Sequence, residues 1–313
     1  MCADALNPAC CTRIAKRTTS SSPSLGRISS GHSAGRAIAG KRAPVAKALL
    51  RYKGIRLNVV TGGPAVVREA LDSGKKAITA GPGNPPSVVD ETADLEAAAR
   101  HLVMGASLDN NIICTDEKEI VCVSIVADRL KENMARSGAI VLSPHQIEQV
   151  RKLILESEKG PRKYAVINRK YVGKDAAVIL RDAGVPCPPS VRIALCEVDA
   201  DHPFLWTELM MPVLPLVRVR HVDDAIDFAV EVEHGYRHTA SMHSRNIDKL
   251  HRMARACDAS IFVKNGPNAS GLGWNGEGPT SFTIASPTGE GMTTARSFTR
   301  IRRCTLVDRF RIV

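Results

Sequence analysis

From Pro44 onward the apolar and polar positions follow two alternating periods, and the switches between them outline the fold. Residues 55–60 (Ile-Arg-Leu-Asn-Val-Val) alternate and then meet Thr61-Gly62-Gly63. This predicts a strand entering a glycine turn that opens a helix through about Leu71. Residues 76–79 and 87–89 predict short strands on either side of a Gly/Pro loop. Across 92–107 the residues Leu95, Ala99, Leu102, Val103 and Ala106 recur at helical spacing, with Thr92 as the expected N-cap. Residues 119–124 predict a further strand, which leaves Cys114 in the connecting loop.

The same alternation continues to the end of the chain. Ser143-Pro144 reads as cap and first position of a helix whose apolar stripe is Ile147, Val150 and Ile154. Residues 175–182 predict a helix stopped at Gly184, and 222–232 and 246–257 predict two more. Strand patterns lie at 191–196, 213–219, 239–242 and 260–264. Strands interleaved with helices predict an α/β fold with a mainly parallel sheet flanked by helices. Residues 304–313 alternate as a terminal strand available for pairing with another subunit.

Composition narrows the possibilities. The formal charge of +11 over 313 residues suggests nucleic-acid binding until it is located. Residues 1–68 hold twelve Lys or Arg against Asp4 alone, and the remaining chain balances 31 basic against 31 acidic residues. With aromatic content of 4%, the interleaved aromatic and basic surface of a nucleic-acid binder is missing. Residues 1–42, rich in Ser, Arg and Gly, are expected to be a disordered tail. An organellar transit peptide shares this composition, but a solvated tail is the simpler reading. Nine cysteines without paired spacing argue for a reducing compartment, and no apolar run reaches the roughly 20 residues that span a bilayer. A soluble cytoplasmic protein is the expectation.

Chemistry concentrates in the run Leu108-Asp109-Asn110-Asn111-Ile112-Ile113-Cys114, with the acid-free loop of residues 80–86 (Ala-Gly-Pro-Gly-Asn-Pro-Pro) upstream. An ordinary thiol is only a few per cent thiolate at neutral pH, so a nucleophilic Cys114 needs activation by loop amides or a helix terminus. Cys122, Cys187, Cys196, Cys257 and Cys304 read as small apolar residues. His234, His238 and His243 could suggest a metal, but Gly235 interrupts any helix that would align two of them, and no metal site is expected.

Several motifs in one order resemble the aldehyde dehydrogenase superfamily, most closely its CoA-acylating acetaldehyde and propionaldehyde dehydrogenase branch of bacterial microcompartments. Asn110 to Cys114 resembles the nucleophile loop, Gly83 to Asp94 a Gly-x-x-Pro-x-x-Val motif, and Thr61-Gly62-Gly63 the turn beside the nicotinamide. Glu208 occupies the place of the glutamate that holds the nicotinamide ribose, although Met210 and Met211 replace the usual Phe-Gly. The segments 233–240 and 281–304 resemble the acylating branch specifically.

The resemblance implies Cys114 as catalytic nucleophile, Thr61, Gly62, Gly63 and Glu208 as NAD-binding residues, and coenzyme A as co-substrate. It implies a partial, Rossmann-like cofactor domain over 43–83, a catalytic domain over 84–280 and a C-terminal segment over 281–313. Beginning only near Pro44, it also implies an N-terminally truncated relative that lacks an oxyanion-hole Asn and an adenosine-ribose Lys. Expected partners are a small aldehyde, coenzyme A, further copies of the chain and microcompartment shell or lumen proteins, with the compartment itself as a possible location. Ala80 stands where hydrolytic members carry the glutamate that activates water. Water is about seven pKa units harder to deprotonate than a thiol, so a loop without that base favours a thiol acceptor. Two other readings stay open: a catalytically impaired, subunit-binding homologue, and a cysteine hydrolase, for which no convincing His partner of Cys114 is evident.

Overall fold

The computed structural model describes residues 42–308, so the expected tail lies outside the described residues except at Arg42. Helix α1 (Arg42–Arg51) leads into β1 (Leu57–Thr61), α2 (Pro64–Leu71) and β2 (Lys76–Ala80). The two strands pair in parallel as a sheet of their own, with Leu57 opposite Lys76 and Thr61 opposite Ala80. This is the strand, glycine turn and helix that the sequence predicts. The helix starts at Pro64, whose fixed φ suits the first helical position.

The main sheet has seven strands, all parallel. Along the chain come β3 (Pro86–Val89), α3 (Leu95–Ala106), β4 (Glu119–Val123), α4 (Ser124–Arg136), β5 (Ala139–Val141) and α5 (Pro144–Ile154). A short antiparallel hairpin, β6 (Leu155–Ser157) with β7 (Val166–Ile167), and α6 (Ala176–Asp182) precede β8 (Ile193–Glu197) and β9 (Val213–Val219). Then follow α7 (Val222–Val232), β10 (Thr239–His243), α8 (Ile247–Cys257), β11 (Ile261–Lys264) and a small antiparallel pair, β12 (Ile284–Ala285) and β13 (Gly291–Met292). The spatial order is β11-β10-β3-β4-β9-β8-β5. Helices cover the sheet, so central strands are apolar on both faces, and every residue of β3, β4 and β10 is buried.

Two apolar clusters hold the layers together. One joins Leu102 and Val103 of α3, Leu130 and Met134 of α4, Ile226 of α7 and Met253 of α8 to β3, β4 and β10. The other packs Ile147, Val150 and Ile154 of α5 and Ile179 and Leu180 of α6 against Ala194, Cys196 and Val213. At about 1.5–3 kcal/mol per fully buried large aliphatic side chain, these clusters dominate the cohesion of the fold.

Local signals account for most boundaries. Ser143 and Gln146 form a reciprocal capping box at α5. Helix α3 begins two residues later than expected, because Asp94, not Thr92, caps it by accepting the Ala97 N–H. Thr92 instead donates its hydroxyl to Asp90 at 2.7 Å. Helix α4, absent from the strand reading of residues 119–124, buries Val126, Ala127, Leu130 and Met134 at helical spacing directly after β4. Residues 301–308 form no strand; the rest of the expected terminal strand lies outside the described residues.

Candidate active site

Four adjacent strands, β10, β3, β4 and β9, bring four loops together at the amino-terminal edge of the sheet. These loops carry Gly83 before β3, Cys114 to Lys118 before β4, Glu208 before β9, and Glu233 to His238 before β10. The position is a consequence of parallel topology, which aligns the entry points of neighbouring strands.

The nucleophile loop is built by residues that tolerate left-handed backbone. Asp109, Asn110 and Asn111 have φ of 44°, 54° and 63°, a conformation that Asp and Asn adopt more readily than other non-glycine residues. Buried Asn111 donates from Nδ2 to the carbonyls of Ala106 and Glu117, both at 2.9 Å, tying the end of α3 to the start of β4. Asn110 donates to Gly173 O and to Asp175 Oδ1. Lys118 Nζ donates to Asn111 O and Oδ1 at 2.8 Å and to Ile113 O at 2.9 Å. The backbone entering Cys114 is thereby held from three directions.

Gly83 is where the loops meet. A Cβ built on it would lie 2.6 Å from the Cys114 carbonyl oxygen and 3.1 Å from the His238 ring, so only glycine permits this approach. The Gly83 N–H also hydrogen-bonds the Glu208 carboxylate. Glu233 positions His238 by accepting its N–H at 2.9 Å, across a turn in which His234 and Arg237 both have positive φ. His238 Nδ1 pairs with Thr239 Oγ1 at 2.9 Å, and its buried Nε2 has no protein partner. In the tautomer whose Nδ1–H donates to Thr239, Nε2 carries a free lone pair.

Burial dominates the electrostatics here. It pushes the Cys114 thiol up to about 11; Glu208 adds to the rise and Lys118 opposes it. The Cys114 backbone N–H favours the thiolate, as the sequence led us to expect of the loop amides, but burial outweighs it. Burial likewise raises Asp116 to about 7 and Glu117 to about 8, lifts Glu119 well above and Glu208 above its ordinary value, and lowers His238 to about 4. At neutral pH His238 is an uncharged imidazole able to accept a proton.

Each residue singled out in the sequence has a definite place. Cys114 and Glu208 share the amino edge. Thr61, Gly62 and Gly63 lie at the end of β1 and reach that edge through Ala80: the Gly62 N–H donates to Ala80 O at 3.0 Å, and the chain then runs three residues to Gly83. Gly62 packs so closely that a Cβ would sit 2.7 Å from Val66, whereas the space around Gly63 is open to 4 Å. An open backbone turn and a buried carboxylate beside the nucleophile fit a nicotinamide cofactor.

Ala80 is buried and brings no acid, yet Cys114 is not free of carboxyl groups, since Glu208 and Asp116 both act on it. His238, for which the sequence offered no catalytic role, packs against Gly83 on the same loop cluster that the Cys114 carbonyl approaches. The signal for it was the Glu233-to-Thr239 segment, whose turn geometry becomes functional only once β10 is known to neighbour β3.

Comparison with known proteins agrees with this geometry. The family model described as "Aldehyde dehydrogenase family" matches residues 33–278, beginning ahead of Pro44. Acetaldehyde dehydrogenase (acetylating) EutE of Salmonella typhimurium is 53% identical over 271 residues, covering 86% of this chain and 57% of that protein. Propionaldehyde dehydrogenase of Rhodopseudomonas palustris, solved with bound CoA and an acylated cysteine, superposes with a TM-score of 0.79 at 50% identity, covering 83% of this chain and 58% of the other. A propionaldehyde dehydrogenase from the Clostridium phytofermentans fucose utilisation bacterial microcompartment gives a TM-score of 0.80 at 41% identity, covering 85% of this chain and 60% of the other. The chain thus spans rather more than half the length of these relatives. Its parallel sheet, the family match and the close relatives together place the chain in the aldehyde dehydrogenase family.

Proposed function

We propose that this chain carries the catalytic machinery of a CoA-acylating aldehyde dehydrogenase, converting a short-chain aldehyde, NAD and coenzyme A into acyl-CoA, NADH and a proton. The observation that carries the reading is Cys114 at the end of its left-handed loop, its carbonyl packed against Gly83, downstream of a loop with Ala80 in place of the water-activating glutamate. The relatives support the same chemistry: one is an acetylating acetaldehyde dehydrogenase, another was solved with CoA and an acylated cysteine.

The residues divide the work as follows. Cys114 Sγ, on losing its proton, attacks the aldehyde carbon, and the carbonyl π electrons move to oxygen to give a thiohemiacetal. Bound NAD supplies the acceptor for the hydride, with Thr61, Gly62, Gly63 and Glu208 as the residues that hold it. Loss of that hydride re-forms the carbonyl and leaves a thioester on Cys114. His238, neutral at working pH, is placed to take the proton from the incoming thiol of coenzyme A. The new thiolate attacks the acyl carbon, Cys114 departs, and one thioester replaces another, so the reaction runs readily in both directions.

Further parts of the reading concern the setting. We infer a homo-oligomer, and a microcompartment location in line with the fucose-utilisation relative. Among the described residues no helix is long and apolar enough to cross a membrane.

The test is product analysis with propionaldehyde and NAD. NADH formation should require coenzyme A and yield propionyl-CoA; free propionate formed equally well without coenzyme A would contradict the reading. Ala80→Glu should raise the share of propionate, with Ala80→Gln as the size control at this buried position. Equal product ratios in the two variants would remove Ala80 from the explanation.

A further inference from the structure

Lys118 is the only buried lysine or arginine among the described residues, 4% exposed. It lies four residues after Cys114, between the buried acids Glu117 and Glu119. Its ammonium has three donors, and three protein acceptors receive them, all at 2.8–2.9 Å and all from the segment that delivers Cys114: Asn111 O, Asn111 Oδ1 and Ile113 O. No carboxylate lies within ion-pairing distance of it among the described residues. A lysine buried merely to neutralise its acidic neighbours would bond to them; this one bonds to the nucleophile loop. Hydrogen bonds from a charged donor are stronger than neutral ones, and these fix left-handed Asn111 and the backbone that follows it.

We propose that Lys118 is the positioning residue of the nucleophile, fixing the backbone of Asn111 to Ile113 and supplying the buried positive charge against which the Cys114 thiolate forms. This inference rests on the reading of Cys114 as the nucleophile. The groups that face the thiol are Glu208 and Asp116, which oppose ionisation, and Lys118, which favours it. Those that feel Lys118 in turn are Asp116, Glu117, Glu119, Glu208 and His238. Every other charged group around the thiol works against the thiolate, so removal of Lys118 leaves only the Cys114 backbone N–H to offset burial.

The experiment is alkylation of the full chain by iodoacetamide from pH 6 to pH 11, following the Cys114 peptide by mass spectrometry and taking as each variant's midpoint the pH at which it reaches one fixed rate on the rising limb of its profile. Lys118→Gln keeps a hydrogen-bond donor and loses the charge, whereas Lys118→Arg keeps the charge. The glutamine variant should shift the alkylation midpoint upward by about one pH unit or more, with a roughly tenfold slower reaction at any pH below the midpoint. The arginine variant should stay close to the wild-type midpoint. A folded glutamine variant with an unchanged midpoint, or an arginine variant shifted as far as the glutamine one, would overturn the proposal. If Lys118→Gln does not fold, Lys118→Met, which keeps the volume of the stem, decides on the same criterion. Alkylation uses neither aldehyde nor coenzyme A. A shifted midpoint in a chain that makes no acyl-CoA would leave this inference standing while the proposed reaction failed, and the converse result would separate them equally well.

Discussion

The two edges of the seven-stranded sheet are chemical opposites. At the amino-terminal edge, buried Asp116, Glu117, Glu119 and Glu208 are all raised above their ordinary values, His238 is held neutral, and three successive residues have left-handed backbone. At the carboxyl-terminal edge, Arg218 and Lys131 pair with Asp128 and Glu197, and the hydrogen bonds from these cations hold both carboxylates below the usual range. An open cleft of about 740 Å³ sits there, lined by Val141, Glu197, His202 and Arg218 among others. Open parallel sheets ordinarily bind ligands outside the carboxyl ends of their strands. A cleft is indeed found on that side, but the charges of Arg218, Lys131 and Glu197 within it are already satisfied by one another and by Asp128. The amino edge, with unpartnered polar atoms on Asn84, Thr115, Asp116, Glu117, Glu119, His238 and Asn268, holds most of the unpartnered buried groups, while His101 and His243 carry others toward the carboxyl end of β10. Cavity size and chemical competence thus part company, and unsatisfied, perturbed groups are the better guide.

Substitutions can break or sharpen this contrast. Cys114→Ala should lower CoA-dependent NADH formation by roughly 10⁴-fold or more, as loss of a nucleophile does. Arg218→Ala, at the other edge, should leave that rate within about threefold; a comparable loss from both would erase the distinction. His238→Ala should cost about 10²–10⁴-fold in steady-state turnover, the range for general acid–base catalysis. In stopped-flow records its first burst of NADH should survive, placing the defect in acyl transfer. Abolition of the burst would move His238 to the first half-reaction.

A third effect concerns stability. Burial raises Glu117 to about 8, so between the unfolded value near 4 and that pKa the folded chain binds the extra proton. Stability from this group is complete at low pH and is lost as pH rises through about 8. Glu117→Gln, which can still accept the Asn268 N–H made at 2.8 Å, should flatten the decline between pH 5 and 9 by on the order of 2 kcal/mol in urea melts. Arg218→Ala should cost only about 1 kcal/mol or less, because its partner Asp128 is exposed. An unchanged slope for Glu117→Gln would show that this carboxyl ionises freely in the fold.

Much of this organisation was legible in the sequence. Strand 213–219 and helix 222–232 coincide with β9 and α7, because both combine a clear period with Pro, Asp or Val at the right ends. Cys114 was visible through its company of Asp and Asn, whose tolerance of left-handed backbone is a local property. His238 was not, since its role depends on β10 lying beside β3, a long-range pairing that no local period encodes. The raised thiol was hidden for the same reason: burial of Cys114 and the approach of Glu208 arise from loops 94 residues apart in sequence. Helix α4 escaped because its apolar start, Ile125-Val126-Ala127, continues the apolar run of β4.

The central claim is that Cys114 carries an acyl group destined for a thiol, and acylation in the reverse direction tests it without any nicotinamide. The full chain would be incubated with propionyl-CoA, quenched in acid, digested and mapped by mass spectrometry. The account predicts a propionyl adduct on the Cys114 peptide that disappears when free coenzyme A is added in excess, and none on the Cys114→Ala chain. A chain that remains unlabelled at Cys114, or is labelled equally at Cys187 or Cys304, would contradict it.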